Sequence, residues 1–150
     1  MSVDLFIDTN VLVYAYDRHE PDKQRKAQAI LKDAIQEESA ALSAQVLGEF
    51  FVVVTRRIRN PLSASDARKI IDILSILPVS EIDLSLVKRA VETHKQYRIS
   101  YWDSLIIATA ERAGCGKILS EDFNHGQKYN GVLIQNPFDN SPTTETRSRR

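Results

Sequence analysis

Five short apolar runs, separated for the most part by longer segments with helical spacing, constrain this chain more than any other feature. Val3 to Ile7 (VDLFI) reads as a strand that ends in the turn Asp8-Thr9-Asn10. Ala40 to Ser43, Val79 to Ile82, Lys117 to Ser120 and Val132 to Gln135 read as four more. Asn10 to Tyr16 can form a short helix. Asp22 to Glu38 carries Ala27, Ile30, Leu31, Ala34 and Ile35 at three- and four-residue spacing, which predicts a helix. Gln45 to Ile58 contains FFVVV (Phe50 to Val54), a run with strong β propensity. Its flanks suit a helix, and burial overrides propensity, so a buried helix is expected. Ser63-Ala64-Ser65-Asp66 resembles a capping box and opens a helix to about Leu77. Leu84 to Tyr97 is expected to be amphipathic, with Leu84, Val87, Val91 and His94 on one stripe. Asp103 to Ala113 reads as a helix stopped by Gly114. Strands alternating with helices predict a mostly parallel sheet of about five short strands, covered on both faces.

The 150 residues suit one domain with a sizeable core, and 43% apolar with 27% charged residues is an ordinary globular composition. Twenty basic residues balance twenty acidic ones, so attraction to nucleic acid would have to come from a local patch. The one cysteine, Cys115, rules out an intramolecular disulfide and fits a reducing compartment. Met1-Ser2-Val3-Asp4 lacks the basic start and apolar stretch of a signal peptide, and no run is long enough to span a membrane. The expectation is a soluble cytoplasmic protein: one domain over 1–138 and a polar, disordered tail over 139–150.

Active sites of parallel sheets lie beyond the carboxyl ends of the strands. Asp8 and Asp122 each stand just past an apolar strand run. Asp8 suits a metal ligand, and equally a helix N-cap. Glu49 shares a helix face with Val46, Val52 and Val53, and a carboxylate there needs a cation, donors or a proton. A salt bridge to Arg56 or a distant lysine would also satisfy it. Asp103 follows Ser100-Tyr101-Trp102, where a capping box and a metal ligand are compatible roles. Asp122 lies in a loop with Asn124 and Gly126 and can be a turn aspartate. Each carboxylate alone says little. Together they give two strand ends, one helix start and one apolar helix face.

In these motifs the chain resembles the PIN-domain superfamily and is similar to its VapC-type toxin nucleases. Phe6-Ile7-Asp8-Thr9-Asn10-Val11-Leu12 matches the opening motif. Glu49 falls where the family has its helix carboxylate. Trp102-Asp103-Ser104-Leu105-Ile106-Ile107-Ala108-Thr109-Ala110 matches the third motif, and Leu119-Ser120-Glu121-Asp122-Phe123-Asn124-His125-Gly126-Gln127 the fourth. The likeness covers roughly residues 3 to 138. It implies a three-layer α/β/α sandwich and a metal-dependent endoribonuclease acting on RNA. It also implies an antitoxin protein as partner and a homodimer. Clustered carboxylates suit Mg2+, or Mn2+, which favour oxygen ligands. Asp8 and Asp122 would be primary ligands, Asp103 a direct or water-mediated one, and Glu49 a ligand or the group that orients the attacking water. Thr9 and Asn10 would support them by hydrogen bonds.

RNA would also need cations. Arg56 and Arg57 belong to the densest basic cluster, and Arg56 lies about 10 Å along a helix from Glu49; a solvated helix end is the alternative. His125 could touch a phosphate or be a surface loop residue. Tyr14, Tyr16, Tyr101 and Trp102 could stack bases or fill the core. A haloacid-dehalogenase-like phosphatase would need a second Asp where Asn10 stands. A dinucleotide-binding domain would need a glycine-rich turn that Asp8-Thr9-Asn10 does not supply. The remaining rival is a non-catalytic RNA-binding or protein-interaction module on the same fold.

Overall fold

A computed structural model describes residues 3–139. The tail expected to be disordered lies, from Asn140 onward, outside the described residues. The order of elements is β1 (Leu5–Ile7), α1 (Thr9–Tyr14), α2 (Pro21–Glu37), β2 (Ala40–Ser43), α3 (Ala44–Arg56), α4 (Ala64–Leu74), β3 (Val79–Ser80), α5 (Leu84–Tyr97), α6 (Tyr101–Arg112), β4 (Lys117–Leu119), β5 (Lys128–Tyr129) and β6 (Val132–Gln135). The six strands form one sheet in the order β3-β2-β1-β4-β6-β5. All neighbours are parallel except β5 and β6. Helices flank the sheet, and the architecture is the α/β one expected from the alternation.

The chain first builds outward from β1 through β2 to β3, then returns to place β4 on the other side of β1. Winding therefore reverses between β1 and β4, where the crevice of such a sheet opens. The pairing sets Ile7 opposite Leu119, so the loops after both strands leave side by side. Phe6, Ile7, Ile118 and Ile134 are fully buried and fix this register from below.

Helix starts follow from their caps. Ser43, Ser63, Asp83 and Ser100 each accept the backbone N–H three residues on, at 3.2, 3.0, 3.0 and 3.0 Å. The FFVVV run is helical, as expected. Phe50 and Val54 are fully buried, while Phe51 and Val52 are exposed, so one side of α3 meets the core and the other meets solvent.

Two expectations are corrected. The buried stripe of α5 is Leu86, Ala90 and Thr93; Leu84 is 68% exposed, and Val91 and His94 also face solvent. The small Ala90 lets α5 lie close on α6, where Leu86 and Ala90 pack with Leu105 and Ala108. The stripe drawn through Leu84 has helical spacing too, and spacing alone does not say which of two faces finds a partner. The second correction is a sixth strand. Lys128–Tyr129 and Val132–Gln135 form a hairpin across Asn130-Gly131, both at positive φ (51° and 79°). Asn-Gly between two β-prone pairs is the sequence signature of that turn.

We predict that Leu86→Ala costs about 2–5 kcal/mol of stability, whereas Leu84→Ala changes it by no more than about 0.5 kcal/mol. Chemical denaturation of both variants checks the assignment of the buried face.

Candidate metal centre and cleft

Asp8 is the residue that leaves β1 and caps α1. Its carboxylate accepts from Thr9 N at 2.7 Å and from the Ser120 hydroxyl at 2.7 Å, and only 5% of the residue is exposed. Its own N–H reaches Leu119 O at 3.0 Å, continuing the β1–β4 ladder. The cap reading and the site reading of Asp8 therefore coexist.

Asn10 joins the two strand-end loops. Its side-chain amide points at Asp8 Oδ2 (3.3 Å), Ser120 Oγ (3.1 Å) and Asp122 Oδ2 (3.1 Å). Its carbonyl oxygen accepts from Glu121 N at 3.0 Å. Ser120 Oγ also accepts from Asp122 N at 3.1 Å, which turns the loop after β4 back toward Asp8. Asp122 itself is exposed.

Glu49 enters from α3. Thr9 Oγ1 donates to Glu49 Oε2 at 2.8 Å, and Gln45 Nε2 donates to Glu49 Oε1 at 3.0 Å. The same Gln45 nitrogen donates to Trp102 O at 3.1 Å, at the start of α6. Both neighbours are acceptors, which fixes which end of the amide faces them. Gln45 Oε1 is left buried without a partner. Asp103 stands in the first turn of α6, with its N–H on Ser100 Oγ. It is half-buried, and the charges of Asp122 and Glu49 act on it.

The electrostatics are those of an acidic centre held by hydrogen-bond donors. Among the described residues none of the four carboxylates is held in an ion pair. Lys23 is taken by the adjacent Glu121 at 2.8 Å, and Tyr14 OH donates to the same carboxylate at 2.7 Å. Burial pushes the Asp8 carboxyl up to about 6 against the pull of Ser120 and Thr9 N–H, and the charges of Asp122 and Glu49 push the same way. Asp103 is raised by burial and by the same two neighbours. No three acidic, histidine or cysteine side chains among the described residues close into a ready-made cage. The oxygens line an open wall instead, which fits an ion that keeps several of its waters.

A cleft of about 680 Å³ runs over this wall, lined by Thr9, Asn10, Glu49, Asp122, Trp102 and Arg57 among others. Arg57 is on it; Arg56 is exposed but does not line it. His125 is half-buried, and its Nδ1 accepts from Asn136 N at 3.0 Å, bracing the segment after β6.

The PIN domain family model matches residues 5–130. This chain belongs to the PIN-domain family. Ribonucleases of this family work with divalent metal ions. Among its relatives is Ribonuclease VapC1 of Aquifex aeolicus (strain VF5), 25% identical over 121 residues, which cover 81% of this chain and 83% of the relative. Among solved structures, a toxin-antitoxin complex from Klebsiella pneumoniae matches with a TM-score of 0.65 at 18% identity, over 90% of this chain and 98% of that one. VapC20 of Mycobacterium tuberculosis, described as a sarcin-ricin loop cleaving toxin, matches with a TM-score of 0.59 at 20% identity, over 79% and 91%. No helix among the described residues of this PIN domain is long and apolar enough to cross a membrane.

The structure brings Asp8, Thr9, Asn10, Glu49, Asp103 and Asp122 together, and it adds Ser120 and Gln45. Gln45 stands four residues before Glu49, a spacing at which helix side chains meet. Ser120 stands two residues before Asp122, where a hydroxyl commonly closes a local turn. Both signals were in the sequence. The contact of Tyr14 and Lys23 with Glu121 spans 107 and 98 residues and had no local signal.

A raised carboxyl stabilises the metal-free fold at low pH: the contribution is complete below about pH 4 and is lost as pH rises through about 6. Asp8→Asn keeps an N-cap side chain and removes the buried charge. We predict that, in EDTA, the variant gains on wild type in melting temperature between about pH 5 and pH 7. Parallel thermal melts that track each other across that interval would refute the assignment.

Proposed function

We propose that this PIN domain is a divalent-metal-dependent endoribonuclease that hydrolyses RNA phosphodiester bonds. The observation that carries this reading is a group of four acidic side chains at the β1–β4 crevice, of which Asp8, Glu49 and Asp122 accept from hydroxyl, amide or backbone donors and none is in an ion pair among the described residues. A cluster of like charge with Asp8 buried and Glu49 and Asp103 half-buried needs a cation or protons. The donor set is all oxygen, and no cysteine is present at the site, so Mg2+ or Mn2+ fits better than zinc. The ribonuclease and toxin relatives support the same reading.

Asp8 and Asp122 would hold the ion, with Asp103 and Glu49 completing or flanking the set. Bound there, the ion would supply Lewis-acid stabilisation of phosphate charge and a more acidic water. The chain's own part is orientation. Ser120 and Asn10 fix the Asp8 and Asp122 carboxylates relative to each other. Thr9 and Gln45 each occupy one Glu49 oxygen, leaving its remaining lone pairs to direct a water. Arg57, on the same cleft, is placed to meet a substrate phosphate.

We further propose that the protein is the toxin of a toxin–antitoxin pair, as its complexed neighbour is. An antitoxin arginine reaching the uncompensated carboxylates would neutralise them in place of metal.

We predict that Asp122→Asn abolishes magnesium-dependent cleavage of a labelled RNA, and that Glu49→Gln impairs it far more than Glu81→Gln. Ser120→Ala should cost about 10–100-fold, the usual effect of losing a residue that orients a metal ligand. Cleavage by Asp122→Asn at the wild-type rate, with EDTA having no effect, would overturn the metal-dependent reading.

A further inference from the structure

We propose that Trp102 is a base-stacking platform, and that single-stranded RNA lies along α3 from Trp102 at its start to Arg57 at its end. The proposal rests on the ribonuclease reading and says how the substrate is held. Trp102 is the only tryptophan of the chain. It is 62% exposed, yet it lines the same cleft as Glu49 and Asp122. Tyr101 meets it edge-on, with ring centroids 5.0 Å apart, so the indole is held on one side and open on the other. An exposed, oriented aromatic plane suits a nucleobase of any identity, because every base offers a π-face.

The platform is mechanically part of the acidic centre. One Gln45 nitrogen donates to both Trp102 O (3.1 Å) and Glu49 Oε1 (3.0 Å). Gln45 precedes Glu49 by four residues on α3, and Arg57 follows it by eight. At 1.5 Å per residue, the Trp102 attachment lies about 6 Å from Glu49 along the axis, and Arg57 about 12 Å the other way. Gly48 lies between the platform and Glu49, where even a Cβ would meet nothing within 4 Å. A smaller hollow of about 430 Å³ beside Gln45, walled by Trp102 and Ile82, gives a base room next to the indole.

The order along the helix is therefore aromatic, acidic, cationic. A single RNA strand presents matching chemistry in that order: a base to stack, a phosphate for the metal-bearing carboxylates, and a further phosphate for a guanidinium. Among the described residues Arg57 is in no ion pair, and its planar fork suits phosphate. Stacking on neighbouring pairs in a duplex would withhold the face that Trp102 needs, so single strands or loops are the substrates this track selects.

The lone tryptophan makes the test direct. A single-stranded phosphorothioate RNA oligonucleotide, resistant to cleavage, is titrated into the wild-type protein with magnesium while indole fluorescence is read. Saturable quenching is expected. By anisotropy of a labelled oligonucleotide, Trp102→Ala should bind on the order of 10-fold more weakly or worse, and Trp102→Phe should retain most of the affinity. In cleavage of ordinary RNA, Trp102→Ala should raise KM more than it lowers kcat, and Arg57→Ala should also raise KM. Thermal melts matching wild type show that both variants fold. Unchanged affinity and KM in Trp102→Ala, in a protein that still cuts RNA, would overturn the platform and leave the ribonuclease reading standing. The same result combined with weaker neutralisation by a protein partner would make Trp102 a protein seat instead. Failure of the wild type to bind or cut any single-stranded RNA with magnesium or manganese would overturn both readings.

Discussion

The parallel pairing of β1 with β4 is the constraint from which the rest of the molecule follows. It sets Ile7 against Leu119 and so delivers Asp8 and the loop of Ser120 to Asp122 to one place. Neither strand is longer than three residues, and a pairing this short gains little from its own ladder. It is held by what surrounds it. Phe6, Ile7, Ile118 and Leu119 are buried beneath the site, and Asn10 and Ser120 knit the two loops above it. A slip of one residue would send Ile7 and Leu119 to the opposite face of the sheet, into packing shaped for other side chains, and carry Asp8 away from Ser120. Core packing and site geometry are one register, enforced twice.

The same geometry explains why the acidic centre tolerates its own charge. Asp8 is nearly inaccessible to water and draws on a hydroxyl and a backbone N–H. Glu49 draws on Thr9 and Gln45. The donors on Asp8 pull toward its ionised form without neutralising it, so charge remains for a cation to meet. Lys23 is held just outside, on Glu121, where it braces the loop without entering.

Much of this was legible in the sequence, and the residues show why. Asp8, Asp103 and Asp122 could be placed because strand ends and helix caps are marked by local chemistry. Glu49 could be placed because a carboxylate on an apolar helix face demands an explanation. The helix of FFVVV was readable through its flanks despite its propensity. The α5 stripe was misread because Leu84, Val87 and Val91 have the right spacing, and only the partner α6 decides that Leu86 and Ala90 face inward. The hairpin at Asn130-Gly131 was marked, but its strands of two and four residues fall at the edge of what alternation can display. Tyr14 and Lys23 meet Glu121 across 107 and 98 residues of chain, and no local pattern encodes such a meeting.

The bonds that assemble the centre join residues at opposite ends of the chain: Ser120 reaches Asp8 over 112 positions, and Asn10 reaches Asp122 over 112. β4 is therefore needed before Asp8 and Asp122 can be joined, although Asp8 and Glu49 emerge early from the ribosome. Synthesis at about 5–20 residues per second leaves several seconds in which the first half of the protein is present without a partner for Asp8. In a nascent chain the two strand-end loops therefore stay unjoined until β4 is made, so the connectivity of the sheet fixes when in synthesis the acidic centre can first exist.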